Sequence, residues 1–400
     1  MKTLARQTEP RAYAPTPPRA ETEATDAVVN ASAPGVDDAG AEPRPLAPAR
    51  WDWSSVRSVL VVRLRSIGDT VLATPSIHAL RRFLPHARID VLLEDWVAPL
   101  LEGSDEINRI VRLERDKSLA KFAAWRELKA EAYDVAYNLH GGSTATLFTW
   151  LSRARERVGY LGYRGSNMQN HDAPHPSELW GQEKTHSAEQ QLGLLGWTGV
   201  PVTDRPASRL PVTAEAAERA ERRLRKVGLG DPARRFALIH PAAAFDTKTW
   251  AAANFARVAE HLGARGIPSV AVVGPGESRV AAEFVREARI PVASFDDLSL
   301  PELSALAARA SLFVGNDSGV AHIAAAHGVP QVVVFGSSNV AHWRPWTSAP
   351  AEVVREEMHC APCPGYTCAE FDAPECIRRV PVERVTAAVE RVLKEVDSRQ

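Results

Sequence analysis

Two kinds of apolar pattern alternate along most of this chain. Short unbroken runs read as buried strands, and between them apolar positions recur every three or four residues, as on one face of a helix. Strands are expected at 58–64 (SVLVVRL), 88–93, 107–113 and 133–139. A helix carrying Val71, Leu72, Ile77, Leu80 and Leu84 follows the first strand, and Pro75 inside it predicts a kink or a short first segment. Further helices are expected at 118–131 and 186–195. Residues 200–211, with three prolines, have the composition of a linker. A second series then begins, with helices at 215–227 and 251–265 and strands at 236–240 and 268–273. Another helix, a helical stretch at 299–309, a strand at 311–315, a helix closing at Gly328 and a strand at 331–335 complete it. Val382, Val385, Val389, Val392, Leu393 and Val396 lie at helical spacing, which predicts an amphipathic terminal helix. Strands alternating with helices predict parallel, doubly wound sheets. The expected organisation is two Rossmann-like halves, 51–205 and 206–380, closed by a helix at 381–400.

Before residue 51 the pattern fails. Residues 1–50 are rich in Ala, Pro, Glu and Thr with almost no large apolar side chains, the composition of a disordered tail. The remainder is ordinary globular sequence, 45% apolar and 24% charged over 400 residues. A net charge of −1 gives no global basic field, which argues against nucleic acid as a partner. No apolar run is long enough to span a bilayer, and no leader-like apolar stretch opens the chain, so a cytoplasmic protein is expected.

Ligands of doubly wound sheets bind beyond the carboxyl ends of the strands, so the strand exits are where chemistry is expected. The fullest is 316–322 (NDSGVAH). Asp317 has the character of an N-cap, Gly319 allows a ligand to approach the backbone, and the helix N-terminus with His322 offers donors to an anion. Asp69, after Gly68 at the first strand's exit, can serve as a general base or as a helix cap. Thr247, Lys248 and Thr249 put one cation and two hydroxyls on another exit, suited to a phosphate. Glu277, at the exit 274–277, can accept from a ribose or favour the helix after it. The basic stretch 153–170, with Tyr160 and Tyr163 interleaved, reads as a surface loop or as a holder of an anionic acceptor. No GxGxxG is present, so the usual dinucleotide fingerprint is missing. A candidate base in one half and a phosphate cradle in the other are what displacement of a nucleoside diphosphate from a sugar carbon requires.

At these residues the sequence resembles glycosyltransferase family 9, the heptosyltransferases of lipopolysaccharide core assembly. VVRLRSIGDTVLATPSIHALRRFLP is similar to that family's N-terminal signature, and HPAAAFDTKTWAAANFARVAEHL to its Lys-x-Trp block. GNDSGVAHIAAAHGVPQVVVFGSS resembles its Asp-[Ser/Thr]-Gly-x-x-His block, and NLHGGSTATLFTWLSRARERVGY its acceptor-side segment. The resemblance implies a GT-B fold and inverting transfer of heptose from an ADP-activated donor to a lipopolysaccharide core (Kdo/heptose) acceptor, with no cofactor or metal needed for catalysis. It assigns the base to Asp69 and phosphate binding to Lys248. The diphosphate loop matches Asp317, Ser318, Gly319, Val320 and His322, and the ribose acid matches Glu277. A lipid-bound acceptor implies peripheral contact with the inner face of a membrane. The sequence departs from the family pattern at Pro241-Ala242-Ala243, where a Gly-containing motif is usual, and at Asn138, where an acid is usual. The alternatives are the same chemistry on another surface glycan or a protein, or a sugar-nucleotide-binding scaffold without catalysis.

All four cysteines, Cys360, Cys363, Cys368 and Cys376, fall in the loop 358–377. Four thiolates can close a tetrahedral structural zinc site. The other readings are four reduced thiols, or disulfides formed on isolation.

Overall fold

The computed structural model describes residues 28–30, 42–114, 117–363 and 365–399. Its first element, β1 (Val28–Asn30), belongs to the C-terminal sheet. The N-terminal half is a six-stranded parallel sheet in the order β4-β3-β2-β5-β6-β7. Its strands are β2 (Ser58–Val62), β3 (Arg88–Glu94), β4 (Arg109–Leu113), β5 (Val135–Asn138), β6 (Glu156–Tyr160) and β7 (His171–Ala173). Its helices are α1 (Ile67–Val71), α2 (Thr74–Phe83), α3 (Ser118–Glu131), α4 (Ser143–Leu151), α5 (Pro176–Trp180) and α6 (Ser187–Trp197). Pro75 starts α2 after a break at Leu72 and Ala73, so the expected short first segment is α1.

In the C-terminal half the strand order is β1-β13-β12-β11-β8-β9-β10, parallel throughout except for β1. Its own strands are β8 (Ala237–His240), β9 (Ser269–Val272), β10 (Ala293–Phe295), β11 (Leu312–Asn316), β12 (Gln331–Phe335) and β13 (Ala351–Arg355). Its helices are α7 (Ala214–Lys226), α8 (Ala252–Ala264), α9 (Ser278–Glu287), α10 (Leu300–Arg309), α11 (Gly319–Ala326), α12 (Val340–Trp343), α13 (Glu375–Arg378) and α14 (Val382–Arg399). Every residue of β11 and β12 is buried, as a parallel strand covered on both faces requires. The expected pair of Rossmann-like halves is present, and one apolar cluster runs without interruption from Val59 and Ile77 in the first to Leu238 and Val333 in the second.

Three regions differ from the sequence reading. Residues 153–170 are a surface loop only in part: β6 occupies Glu156–Tyr160, with Tyr160 buried and its hydroxyl on the Gln190 carbonyl, and the turn after it is largely exposed. Arg157 is tied to the carbonyls of Ala154 and Met168 and is not free to receive an acceptor. β10 and β13 were not foreseen, the first because ASF is too short to carry a period. The stretch read as a tail is partly folded. The Leu46 and Ala47 amides donate to the Gly196 carbonyl (3.0 and 3.1 Å), and the Arg50 guanidinium lies 4.0 Å from the Trp197 ring. The rest of that tail, 1–27 and 31–41, lies outside the described residues.

The halves are pinned beside the cleft by Trp346. Its indole is buried against Leu72 and Ala188, stacks on His186 at 4.6 Å, and donates from Nε1 to the Pro206 carbonyl at 2.9 Å. Trp346→Ala is therefore expected to lower stability by about 3–5 kcal/mol in a guanidinium titration. Trp346→Phe, which keeps packing and loses the N–H, should cost about 1 kcal/mol.

Candidate active site

The first strand delivers the acidic side of the site. β2 leads into Arg63, whose guanidinium is nearly buried and holds both the Asp69 carboxylate and the Leu139 carbonyl. The other Asp69 oxygen accepts from the Ser66 amide (3.3 Å) and hydroxyl (3.1 Å). Asp69 thus completes the first turn of α1 and still faces the cleft; the cap and the candidate base are one residue. Beside it, burial and the neighbouring Arg63 push the His140 imidazole down to about 4. Asn138, where an acid was usual, accepts from the amides of His140 (3.2 Å) and Gly141 (2.9 Å), so its amide fixes the loop that carries His140.

The cationic side comes from the exits of β8 and β11. Lys248 Nζ lies 2.8 Å from Asp317 Oδ2. Asp317 is therefore not the N-cap of α11 as the sequence suggested: Ser318 holds that position and makes no side-chain capping bond. The free N–H groups of α11 are left facing the cleft, with the helix dipole behind them. Asn316, which sequence reasoning passed over as part of the break, locks the two exits together. Its side chain accepts from the Trp250 amide (3.0 Å) and donates to the Pro241 carbonyl (3.0 Å). Its only signal was an amide at the end of an apolar strand.

The two sides meet through backbone. A Cβ on Gly319 would stand 2.8 Å from Ile67 Cβ, and one on Gly68 would stand 2.7 Å from His322 Cδ2. Each glycine thus admits a residue of the opposite lobe. His322 is buried, its Nδ1 has no partner, and burial lowers its pKa, so the imidazole facing the site is neutral. Together these residues line a cavity of about 520 Å³, of ordinary size for a small-molecule site. Its walls carry Asp69, Lys248, Asp317, Ser318, Gly319, Val320, His322 and Glu277. His240, Phe245 and Trp343, which the sequence did not single out, complete it. Glu277 accepts from the Gly274 amide at 2.7 Å, which orders its own turn.

Thr247 and Thr249 do not line the cavity. The Thr247 hydroxyl donates to the Gly365 carbonyl and accepts from Ser337, and the Thr249 hydroxyl donates to the Phe245 carbonyl. Both shape the lysine loop from behind. The cysteine loop leans on that same loop, with Tyr366 4.4 Å from the Phe245 ring. Of the readings open for this loop, the structure gives the zinc site no support. All four cysteines are free, and among the described residues no three His, Cys, Asp or Glu side chains gather as a metal site would need. The loop is anchored at two of the cysteines: the Cys363 amide is bonded to the Ser337 carbonyl, and Cys376 is buried on α13.

Two facing Rossmann-like lobes with a carboxylate on one and an uncapped helix N-terminus and lysine on the other define a GT-B glycosyltransferase. The sequence profile of glycosyltransferase family 9 (heptosyltransferase) matches residues 121–373, and the chain belongs to that family. Lipopolysaccharide heptosyltransferase 3 of Escherichia coli is 30% identical over 296 residues, covering 71% of this chain and 85% of that protein. The structure of a family 9 glycosyl transferase from Veillonella parvula superposes with a TM-score of 0.72 at 21% identity, covering 85% of this chain and 97% of that one. E. coli ADP-heptose lipopolysaccharide heptosyltransferase II gives 0.70 at 20% identity, covering 85% and 99%.

Gly319→Ala must push Ile67 or the α11 backbone aside. An overpacking strain of about 1–3 kcal/mol is expected to lower kcat/KM by roughly 10- to 100-fold, measured by steady-state kinetics. Protonation should open a second weakness. His140 and His327 titrate near 4 in the fold, below the 6.5 of an unfolded histidine, chiefly because they are buried. The unfolded chain takes up their protons first, so stability is complete above about pH 6.5 and falls as pH drops towards 4. Melting temperature followed from pH 7 to 4.5 should decline, and His327→Gln should flatten the decline.

Proposed function

We propose that the protein transfers heptose from an ADP-activated donor to a lipopolysaccharide core (Kdo/heptose) acceptor, with inversion at the anomeric carbon. The observation that carries this is the single cavity lined by Asp69 from one lobe and by Lys248, Asp317 and the α11 N-terminus from the other. The names of the relatives, a lipopolysaccharide heptosyltransferase and an ADP-heptose heptosyltransferase, support the donor and the acceptor class.

In this reading the donor diphosphate lies on the N–H groups of Gly319 and Val320 and on Lys248, with Asp317 beside the sugar. Glu277, at the far wall, faces the ribose. Asp69 takes the proton of the acceptor hydroxyl as its oxygen attacks the anomeric carbon. The bond from that carbon to the β-phosphate oxygen breaks on the opposite face, and the electron pair leaves with ADP. Lys248 and the helix N-terminus take up the charge that grows on the leaving oxygen. The arriving diphosphate competes with Asp317 for Lys248, so the ion pair holds the lysine in place until a stronger anion replaces it. Neutral His322 can donate a proton-sharing bond without adding charge. No catalytic metal or cofactor enters this scheme.

Among the described residues no helix is long and apolar enough to cross a membrane. The reading places the enzyme in the cytoplasm, working on an acceptor held in the inner face of the membrane.

Asp69→Asn should lower kcat by about 10²–10⁴-fold, the usual worth of a general base, with ADP affinity by calorimetry unchanged. Lys248→Ala should weaken ADP binding and turnover together, each by about 10- to 100-fold, the range of a hydrogen bond to a charged group. Both are read by mass shift of a core acceptor after incubation with ADP-heptose. Full turnover in Asp69→Asn would remove the base from the scheme. Tight ADP binding with no product on any core acceptor would make the protein a binding scaffold.

A further inference from the structure

The N-terminal lobe exposes large apolar side chains where a soluble surface would carry polar ones. Leu119 is 86% exposed, Phe122 53%, Trp150 49% and Leu147 40%. They are not scattered. α3 and α4 cover the same face of the N-terminal sheet, burying Ala124, Leu128, Ala145 and Phe148 against it, and they pack on each other. Helical spacing then puts Leu119 and Phe122 on the outer face of α3, and Leu147 and Trp150 on the outer face of α4. Both helices are apolar inside and out. Met168, 37% exposed, stands on the short turn that packs against α4.

The polar residues on this face share one sign. Arg126 and Lys129 follow Leu119 and Phe122 along the outer face of α3, and exposed Arg153 follows α4 directly. The acids of α3, Glu127 and Glu131, are turned to Arg109 and Arg88 at its inner edge. Aromatic and aliphatic side chains among cations, on helices lying flat along a surface, are the pattern of an interfacial contact with anionic lipid. A two-fold contact between copies would instead set like charges against each other.

We infer that the outer faces of α3 and α4 dock this enzyme on a bilayer rich in anionic phospholipid. The helices begin just past the carboxyl ends of β4 and β5, the end of the sheet at which Asp69 lies. The contact therefore lies on the lobe that carries Asp69. Residues of the site take no part in the contact, and vesicle binding does not depend on which sugar is transferred or to what.

The test uses the full chain and vesicles of phosphatidylcholine alone or with 30% phosphatidylglycerol, in co-sedimentation at about 0.1 M and 0.5 M salt. Binding should be at least about tenfold tighter to the phosphatidylglycerol vesicles and should weaken at high salt, as screened surface charge requires. Phe122→Ser with Trp150→Ser, and separately Arg126→Glu with Lys129→Glu, should each reduce binding about tenfold or more. Both pairs should leave transfer to a delipidated, water-soluble core fragment unchanged. Wild-type protein that stays in the supernatant, or variants that bind like wild type, would overturn the proposal. So would a wild-type dimer in sedimentation velocity that both variants dissolve, since a second copy would then cover these faces.

Discussion

The two lobes approach each other tightly at a pair of glycines. Gly68 admits the His322 ring and Gly319 admits the Ile67 side chain, so the N-terminal turns of α1 and α11 interlock through one side chain from each. Everything chemical in the cleft depends on this approach. Asp69 is one residue from Gly68, and the N–H groups that face the cavity begin at Gly319. A methyl group at either position would separate a candidate base from the anion site by the width of the displaced side chain. The interlock also places a buried histidine and a helix dipole at the wall of a partly buried cleft, where fixed dipoles are worth more than at an open surface.

Around that contact the charges are arranged in two paired sets. Arg63 and Ser66 hold Asp69, while Lys248 holds Asp317. Neither carboxylate is left uncompensated in a partly buried cleft, where an unpaired charge would be costly. Behind the lysine, Asn316 and Thr247 fix the loop by hydrogen bonds alone, and the cysteine loop presses on it through Tyr366 and Phe245.

Much of this was legible in the sequence, and the parts that were not share a cause. The parallel strands and their exits stood out because burial on both faces leaves unbroken apolar runs, as in LFVGN and QVVVF. Asp69, Lys248, Asp317 and Gly319 stood out because they sit just beyond such runs. Thr247 and Thr249 were misjudged because a hydroxyl's direction depends on which way a short 3-10 turn rolls, and spacing does not encode that. Asp317 looked like a cap because a cap and an ion-pair partner are the same residue type at the same place. β10 and β13 were too short or too mixed to show a period. β6 was hidden by its arginines: Arg157 serves the Ala154 and Met168 carbonyls, and Arg155 pairs with Asp134 and Glu156. The outward apolar residues of α3 and α4 blurred the amphipathic pattern that a surface helix normally shows.

The described parts of the leading segment touch both lobes. β1 adds an antiparallel strand to β13, which would otherwise present a bare row of amides and carbonyls at the margin of the sheet. Further on, Leu46, Ala47 and Arg50 are fastened to the end of α6 on the other lobe. A chain begun at Trp51 would keep every residue of the cavity and yet lose the guard on that margin, inviting strands of neighbouring molecules to add there. It would also lose the contacts of Leu46, Ala47 and Arg50 with the end of α6. What composition marks as dispensable is, by position, a seam binding.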